Sequence, residues 1–220
     1  MADADRIASE ELGIPLELLM DNASHQIAVA ARLFLGGVEG KKIVALAGSG
    51  NNGGDALGAL RHLSDWGATV SAHPSGPAER MRPLARRQLD ILATCGVPLD
   101  AAMEADLLID GLLGYSVAGP PRDAIAELIR AANGSRLPIL AVDLPSGMHP
   151  DTGEPLGVTI RAALTVTLAL PKRGLLMTRS RALVGELLLA DIGIPPEAFD
   201  RLGIETRGLF EGGDLVRIIR

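Results

Sequence analysis

Two kinds of hydrophobic pattern alternate along the chain. Three short stretches, IVALA at 43–47, LLID at 107–110 and ILAVD at 139–143, are almost continuously apolar. Strands have this composition when both faces of a parallel sheet are covered. Between these stretches, apolar residues recur at the spacing of an amphipathic helix. The alternation of the two patterns predicts an α/β fold with a mainly parallel sheet.

The same patterns give approximate boundaries for each element. We predict helices over 3–12, 13–34, 54–67, 77–95 and 121–134. We predict strands over 41–48, 68–73, 105–110, 138–143, 163–170 and 183–193. Gly67 and Pro121 stand where a helix should end and begin, respectively. The last two strands have no long helix between them, so that edge of the sheet is expected to be less regular.

Length and charge restrict the class of protein. We expect the 220 residues to form one domain over 1–220. A net charge of −6 argues against nucleic-acid binding, because such modules usually present a basic face. The one basic cluster is interpreted as a solvated helix face and consists of Arg80, Arg82, Arg86 and Arg87. We therefore expect no nucleic-acid partner.

The single cysteine, the polar first residues and the length of the apolar runs indicate the cellular compartment. Cys95 is the only cysteine, so no intrachain disulfide can form, and we interpret it as a small buried apolar residue. The acidic, polar start MADADRIASE is unlike a signal peptide. No apolar run reaches the ~18 residues of a membrane span. We expect a cytoplasmic protein without a membrane partner.

The stretch GSGNNGGD at 48–55 follows the first of these strands and precedes a helix. Its spacing fits G-x-G-x-x-G, but a dinucleotide-binding unit also needs an acidic residue about 20 positions later, after the second strand. That strand ends in VSAHPSG, without an acid. Asp55 would also compete with an anion at the helix start, although it could simply be a capping or first-turn residue. We expect a ligand-binding loop that does not hold a dinucleotide in the usual pose.

Three polar loops follow predicted strands, where ligands bind in open α/β sheets. They are the loop at 48–55, the segment that starts with Asp110, and the segment Asp143-Leu144-Pro145-Ser146-Gly147. We expect them to line one crevice. Asp110 and Asp143 could each cap a local turn, but carboxylates at neighbouring strand ends should repel. A shared proton, a basic residue or a cation would offset that repulsion.

The residue types around Asp110 favour a hard cation of low charge. Asn52 and Ser146 offer neutral oxygen atoms beside this single carboxylate. None of the four histidines pairs with another at ligand spacing, so zinc or iron is not expected. Tyr115 could stack on a ring or cover the crevice, and its loop could cradle a phosphate or only connect two elements. Lys172 is either a cation of the site or part of a solvated turn.

Four segments occur in an order that resembles the NAD(P)H-hydrate epimerase family, also called the YjeF N-terminal domain family. They are GSGNNGGDALGALRHL, LLIDGLLGYSVAGPPRD, AVDLPSGMHPDTG and LTVTLALPKRGLL, and the opening EELGIPLELLMDNA is also similar. The resemblance covers about residues 5–195. It implies a Rossmann-like three-layer α/β/α sandwich, usually as a homodimer. It further implies epimerisation of hydrated NADH or NADPH from the R to the S form, for a separate dehydratase that completes the repair.

The resemblance also implies roles for individual residues. One potassium ion per subunit would have Asn52, Asp110 and Ser146 as ligands. Asp143 would bind substrate and act as the catalytic acid. The remaining substrate-binding residues implied by the resemblance form two loops and are Asn51, Asn52, Gly53, Gly54 and Asp55, then Gly114, Tyr115, Ser116, Val117, Ala118, Gly119 and Pro120.

The chain departs from the family pattern at Ala56, where the family usually has glycine. This change affects the shape of the loop rather than its chemistry. One alternative function is a non-catalytic scaffold that binds a ligand, a protein or RNA, because a fold does not fix a function. An ordinary NAD-dependent dehydrogenase is a weaker alternative, since the acid that would hold the ribose is missing.

Overall fold

The protein is described by a computed structural model over residues 2–99, 102–116 and 119–219. Seven strands lie in these ranges: β1 (Lys42–Ala47), β2 (Thr69–Pro74), β3 (Leu107–Gly111), β4 (Ile139–Val142), β5 (Leu164–Leu168), β6 (Glu186–Ala190) and β7 (Leu215–Arg217). They form one sheet in the order β2-β1-β3-β4-β5-β6-β7. The first six strands are parallel, and β7 pairs antiparallel with β6.

The described ranges contain seven α-helices: α1 (Ala2–Arg6), α2 (Leu16–Leu35), α3 (Asn51–Asp65), α4 (Pro83–Thr94), α5 (Asp123–Ser135), α6 (Arg181–Val184) and α7 (Pro196–Asp200). A π-helical segment over Ile7–Glu11 continues α1. Short 3-10 helices span Ala78–Arg80, Arg173–Leu176 and Thr178–Ser180. None of the described helices is both long and apolar enough to cross a bilayer.

Helices cover both faces of the sheet. On one face, α2, α3 and α4 pack against alternate residues of β1 and β3, such as Ile43 and Ile109. On the other face, α5 packs against the intervening residues, such as Val44 and Leu108. This arrangement explains why these strands are apolar on both sides. The predicted three-layer α/β/α fold is confirmed.

Four local features differ from the sequence-based prediction. The helix predicted over 77–95 begins only at Pro83, because a residue that precedes proline avoids the helical region and Arg82 is extended. The strand predicted over 183–193 is shorter, since Gly185 (φ +62°) ends the helical turn α6 directly before it. The elements α7 and β7 were not predicted. Cys95 is exposed rather than buried.

The order of the strands places the site. β1 lies between β2 and β3, so the chain leaves β1 toward one side of the sheet and later returns to its other side. This reversal is a topological switch point, which opens a crevice at the carboxyl ends of the strands. The loops after β1, β3 and β4 therefore meet at one edge of the sheet, as predicted.

Candidate functional site

The segment predicted as a loop at 48–55 is partly helical. Gly50 is the extended N-cap, and α3 begins at Asn51, so Asn51–Asp55 form the first turn of the helix and the start of the second. A Cβ on Gly48 would lie 1.9 Å from the carbonyl oxygen of Leu112, and one on Gly53 would lie 2.1 Å from that of Gly48. Gly48 is needed because it packs on the segment that leaves β3, and Gly53 is needed because the start of α3 packs on Gly48. The glycine spacing is therefore explained by close packing, and ligand binding by this segment stays a prediction.

The three predicted ion ligands lie together. The hydroxyl of Ser146 donates to Asp110 Oδ1 (2.6 Å), and the backbone N–H of Ser146 donates to Asp110 Oδ2 (2.8 Å). The backbone N–H of Leu113 donates to Ser146 Oγ (2.8 Å), while the amide of Asn52 donates to the carbonyl oxygen of Leu113 (3.0 Å). Asn52, Asp110 and Ser146 thus form a continuous network around Leu113.

Asp110 is fully buried, and burial raises its pKa to about 6, although hydrogen bonds from Ser146 and Leu112 oppose the shift. Its hydrogen-bond partners are neutral. A cation beside it would favour the ionised carboxylate. Carboxylate, hydroxyl, amide and carbonyl oxygens suit a hard ion of low charge. Among the described residues, no group of three or more His, Cys, Asp or Glu is arranged to hold a metal ion, and the potassium ion stays a prediction.

Asp143 has a different environment. It adopts a left-handed conformation (φ +66°), and its backbone N–H donates to the carbonyl oxygen of Val166 (2.8 Å). Lys172 donates to Asp143 Oδ1 and to the carbonyl oxygen of Leu168 (3.1 Å). Both charged side chains are buried. Lys172 is therefore a cation of the site, and the alternative of a solvated turn is wrong.

The two aspartates have separate partners. Asp110 is two residues from both Leu108 and Leu112 along the strand direction, and these leucines pack on the side of α5, so Asp110 belongs to that face. Asp143 contacts Lys172 and acts electrostatically on Asp55 of α3, on the opposite side of the sheet. The repulsion expected between Asp110 and Asp143 is thus avoided, since neutral donors satisfy one carboxylate and an ammonium group satisfies the other.

Asp55 lies on the same side as Asp143. It is buried, and its pKa is raised well above the usual value, mainly by loss of water and then by the charges of Asp143 and Asp5. The ammonium of Lys172 opposes this shift. The sequence allowed two roles for Asp55, as a ligand-binding residue or as a capping or first-turn residue of the helix. Its carboxyl interacts electrostatically with Asp143, Asp5 and Lys172.

Asp5 is a site residue that the sequence analysis missed. The hydroxyl of Tyr115 donates to Asp5 Oδ2 (3.2 Å), and burial raises the pKa of Asp5. The Lys172 ammonium lies 5.7 Å from the centre of the Tyr115 ring. Tyr115 therefore connects α1 with the Lys172–Asp143 pair. The apolar face of α1, which buries Ala4 and continues into Ile7, was the signal that this segment packs on the body of the protein.

The second predicted substrate loop lies beside the first. A Cβ on Gly114 would lie 3.4 Å from Cβ of Asn52. Gly114 and Gly119 also line a narrow cleft with Leu144 and Gly147 of the loop after β4. Of the predicted loop residues, Gly114, Tyr115, Ser116, Gly119 and Pro120 are described, whereas Val117 and Ala118 lie outside the described residues.

The Arg cluster is not one helix face. Arg86 and Arg87 lie on α4, and Arg86 pairs with Asp90 (2.8 Å). Arg80 ends a 3-10 helix, and Arg82 precedes α4 with its charge acting on Tyr115. Arg80, Arg82 and Arg87 are exposed as expected, but only Arg86 and Arg87 lie on α4, so the expected single helix face is wrong. The absence of a nucleic-acid partner stays a prediction.

Comparison with known proteins agrees with these features. The family model described as YjeF-related protein N-terminus matches residues 16–174. An NAD(P)H-hydrate epimerase of Dehalogenimonas lykanthroporepellens is 39% identical, over 99% of this chain and 90% of its own length. The bifunctional NAD(P)H-hydrate repair enzyme Nnr of Moorella thermoacetica is 38% identical, over 89% of this chain and 39% of its own length.

A solved structure shows the same fold. The crystal structure of yeast ynu0, YNL200c, has a TM-score of 0.82 and 25% identity, and the match covers 99% of this chain and 96% of that chain. The family model spans more than half of the chain and includes the loops after β1, β3 and β4. The chain belongs to the family of YjeF-related protein N-termini.

Proposed function

We propose that the protein is an NAD(P)H-hydrate epimerase, an isomerase that interconverts the R and S hydrates of NADH and NADPH. One observation carries the proposal. Asp143 and the Asn52–Asp110–Ser146 network lie at the carboxyl ends of neighbouring strands, in a chain 39% identical to a protein of that name. A scaffold would not need this buried set of charged and polar groups. The chemistry of the site can be matched to the reaction.

The hydrated cofactor has a hydroxyl at C6, next to an enamine nitrogen. Protonation of this hydroxyl allows water to leave and produces a ring cation. Return of water on the other face inverts the centre. Asp143 is the proposed catalytic acid–base residue. The carboxylates of Asp143 and Asp5 place negative charge near the ring cation, which stabilises it in a site largely shielded from water.

The proposed cation is one potassium ion per subunit, with Asn52, Asp110 and Ser146 as ligands. The support is the neutral oxygen set around one buried carboxylate. When bound, the ion would neutralise Asp110 and link the segments at the carboxyl ends of β1, β3 and β4 through one residue from each. The side chains of these residues would hold the two substrate loops in register. Asp110 itself makes no contact with the reacting carbon in this proposal.

The proposed substrate contacts are the start of α3 and the second loop. The N–H groups of Asn51 and Asn52 lie in the first turn of α3 and can donate to a phosphate, whereas those of Gly53 and Gly54 donate to the carbonyl oxygen of Gly50 (3.1 and 3.3 Å). Tyr115 can cover the nicotinamide end of the substrate. A homodimer, action in the cytoplasm and a separate dehydratase that consumes the S hydrate complete the proposal. The homodimer and the separate dehydratase rest on the family resemblance, and the cytoplasmic location rests on the single cysteine.

The test is an assay of R and S hydrate interconversion by chromatography, with the uncatalysed rate subtracted. Asp143→Asn keeps the size of the side chain but cannot donate and recover a proton. We expect turnover to fall about 10²–10⁴-fold, the usual contribution of general acid–base catalysis. Asp65→Asn, an exposed change at the far end of α3, is the matched control and should keep the wild-type rate.

Two outcomes would contradict the proposal. If wild-type protein leaves the hydrate ratio at its uncatalysed rate, the protein is not an epimerase and a scaffold role gains support. If wild-type protein is active and Asp143→Asn keeps more than about half of its rate, far above the level expected after loss of an acid–base group, Asp143 only positions the substrate.

A further inference from the structure

The side of the site that faces α3 contains more carboxylates than cations. Asp5 from α1, Asp55 from α3 and Asp143 after β4 act on one another, with one ammonium group, that of Lys172, among them. We propose that Asp55 is a second catalytic residue, which protonates the leaving hydroxyl from one face of the substrate ring while ion-paired Asp143 acts as the base on the other. This inference rests on the proposed epimerase function and divides its acid–base work between two residues.

The position of Asp55 favours a protonated carboxyl group. Only 7% of the residue is exposed. Ser24 of α2 donates to its backbone carbonyl oxygen (3.1 Å), which fixes the turn. Among the described residues, no group donates a hydrogen bond to its carboxylate oxygens. A buried carboxylate without a partner is costly, so the group is expected to hold its proton.

Lys172 acts on Asp55 only through its charge, because its hydrogen bonds are made to other groups. Its ammonium donates to Asp143, to the carbonyl oxygen of Leu168 (3.1 Å) and to Thr167 (3.4 Å). Three donors are thereby used. Asp143 also accepts from the backbone N–H of Leu168 (3.3 Å). Asp143 is thus held by an ammonium group and a backbone N–H, whereas no such donor reaches the carboxyl of Asp55 among the described residues.

The other groups near Asp55 add negative charge or are neutral, so they also disfavour its ionised form. Asp5 of α1 contributes a carboxylate, which accepts a hydrogen bond from Tyr115, and Asp143 after β4 contributes a second carboxylate. The helices α2 and α4 meet this part of α3 with neutral residues, including Met20 and Ala85. Burial and the two neighbouring carboxylates raise the pKa of Asp55, in agreement with the geometry. Two carboxyl groups in contrasting environments can serve as acid and base.

The proposed step balances without a co-reactant. The Asp55 carboxyl gives its proton to the C6 hydroxyl oxygen. The C6–O bond breaks, its electron pair leaves with water, and the enamine nitrogen lone pair forms a C=N bond. A water molecule then adds to C6 on the opposite face and gives a proton to Asp143. One proton has moved from Asp55 to Asp143, and it returns through water or through the reverse reaction, in which the two roles exchange.

The experiment compares pH–rate profiles of wild-type protein, Asp55→Asn and the control Asp65→Asn, which changes an exposed aspartate of the same helix. In wild type, the rate should fall at alkaline pH as Asp55 loses its proton. Asp55→Asn should lose about 10²–10⁴-fold in kcat, with KM changed much less, and should lose this alkaline limb. The control should keep both. Asp55→Glu, which restores a carboxyl, should recover the limb at a reduced rate.

A second measurement does not depend on activity. Carboxyl carbon-13 spectra of aspartate-labelled protein, assigned by the signal missing in Asp55→Asn, should show Asp55 protonated at neutral pH. An Asp55 signal that is ionised at neutral pH, or an Asp55→Asn variant that keeps over half of the rate and the alkaline limb, overturns the inference while leaving the epimerase proposal intact. Wild-type protein without hydrate interconversion overturns both.

Discussion

Lys172 is the residue whose removal should most disturb the fold near the site. Lys172→Met leaves the buried carboxylate of Asp143 without its ammonium partner. Breaking a buried pair in this way typically costs about 3–5 kcal/mol, much more than the pair itself contributes, because a buried charge is left uncompensated. We expect a loss of this size in the free energy of unfolding, measured by urea denaturation.

Two companion variants test the cause of this loss. Lys172→Met combined with Asp143→Asn should recover most of it, since no buried charge then remains. Lys41→Met, which removes an exposed partner of Asp106, should change stability little because water screens that pair. Equal losses in Lys172→Met and Lys41→Met would show that the buried pair does not matter for stability.

The connection from β1 to α3 makes a prediction at the scale of elements. Gly53→Ala would place a methyl group 2.1 Å from the carbonyl oxygen of Gly48, so backbone must move. Overpacking typically costs about 1–3 kcal/mol. Gly50→Ala is the matched control, since its new methyl group would meet no atom within 4 Å. Urea unfolding should show a loss for Gly53→Ala and no more than a small one for Gly50→Ala.

The same pair of variants tests the ligand role of this turn. If a phosphate approaches the start of α3, Gly50→Ala should weaken substrate binding at unchanged stability, because the methyl group projects into the open space before the helix. A Gly53→Ala protein as stable as wild type would contradict the close packing of β1, α3 and β3.

The elements around the site were predictable because their patterns are strong and local. The strands β1, β3 and β4 contain continuous apolar runs, and the polar residues of the candidate site lie at or after the carboxyl end of each run. The short elements α7 and β7 were missed since five and three residues carry too little periodicity. The start of α4 was placed too early because Pro83 outweighed the helical pattern before it.

Contacts between distant segments explain what the sequence left open. Lys172 was ambiguous because only the folded chain shows that the segment after β5 returns to Asp143. Asp5 was missed because its contact with Tyr115 joins residues 110 positions apart. The ligand network of Asn52, Asp110 and Ser146 was anticipated from strand ends and the family resemblance, and the structure brings these three residues together. The ion itself stays a prediction.

At the scale of the whole molecule, Asp110 should make global stability depend on pH. Its pKa is raised from the usual 3.8 to about 6 by burial, so the folded protein holds this proton more tightly than the unfolded chain does. Stability should therefore decrease as pH rises from about 4 to about 6, by about 3 kcal/mol for this group, and then level off. Asp5 and Asp55, whose pKa values are also raised, act in the same direction.

The effect of potassium separates the contribution of Asp110 to this pH dependence of stability from those of Asp5 and Asp55. An ion at this carboxylate favours its ionised form, so potassium should raise the melting temperature more at pH 8 than at pH 5. The measurement is thermal unfolding in potassium chloride and in tetramethylammonium chloride of equal concentration. The same gain at both pH values, or no gain, would contradict an ion at Asp110.

The distribution of aromatic residues has a consequence for spectroscopy. The chain has one tryptophan and one tyrosine. Trp66 lies at the end of α3, beside the rings of His25 and His62, with the guanidinium of Arg32 over its ring. Tyr115 lies in the candidate site. Tryptophan emission therefore reports the packing of α2 on α3, and tyrosine absorbance reports the hydrogen bond to Asp5. Because the two chromophores lie in different places, one titration of unlabelled protein with a ligand can follow two events. Tyrosine absorbance should report filling of the crevice, and tryptophan emission should report loosening of the packing of α2 on α3.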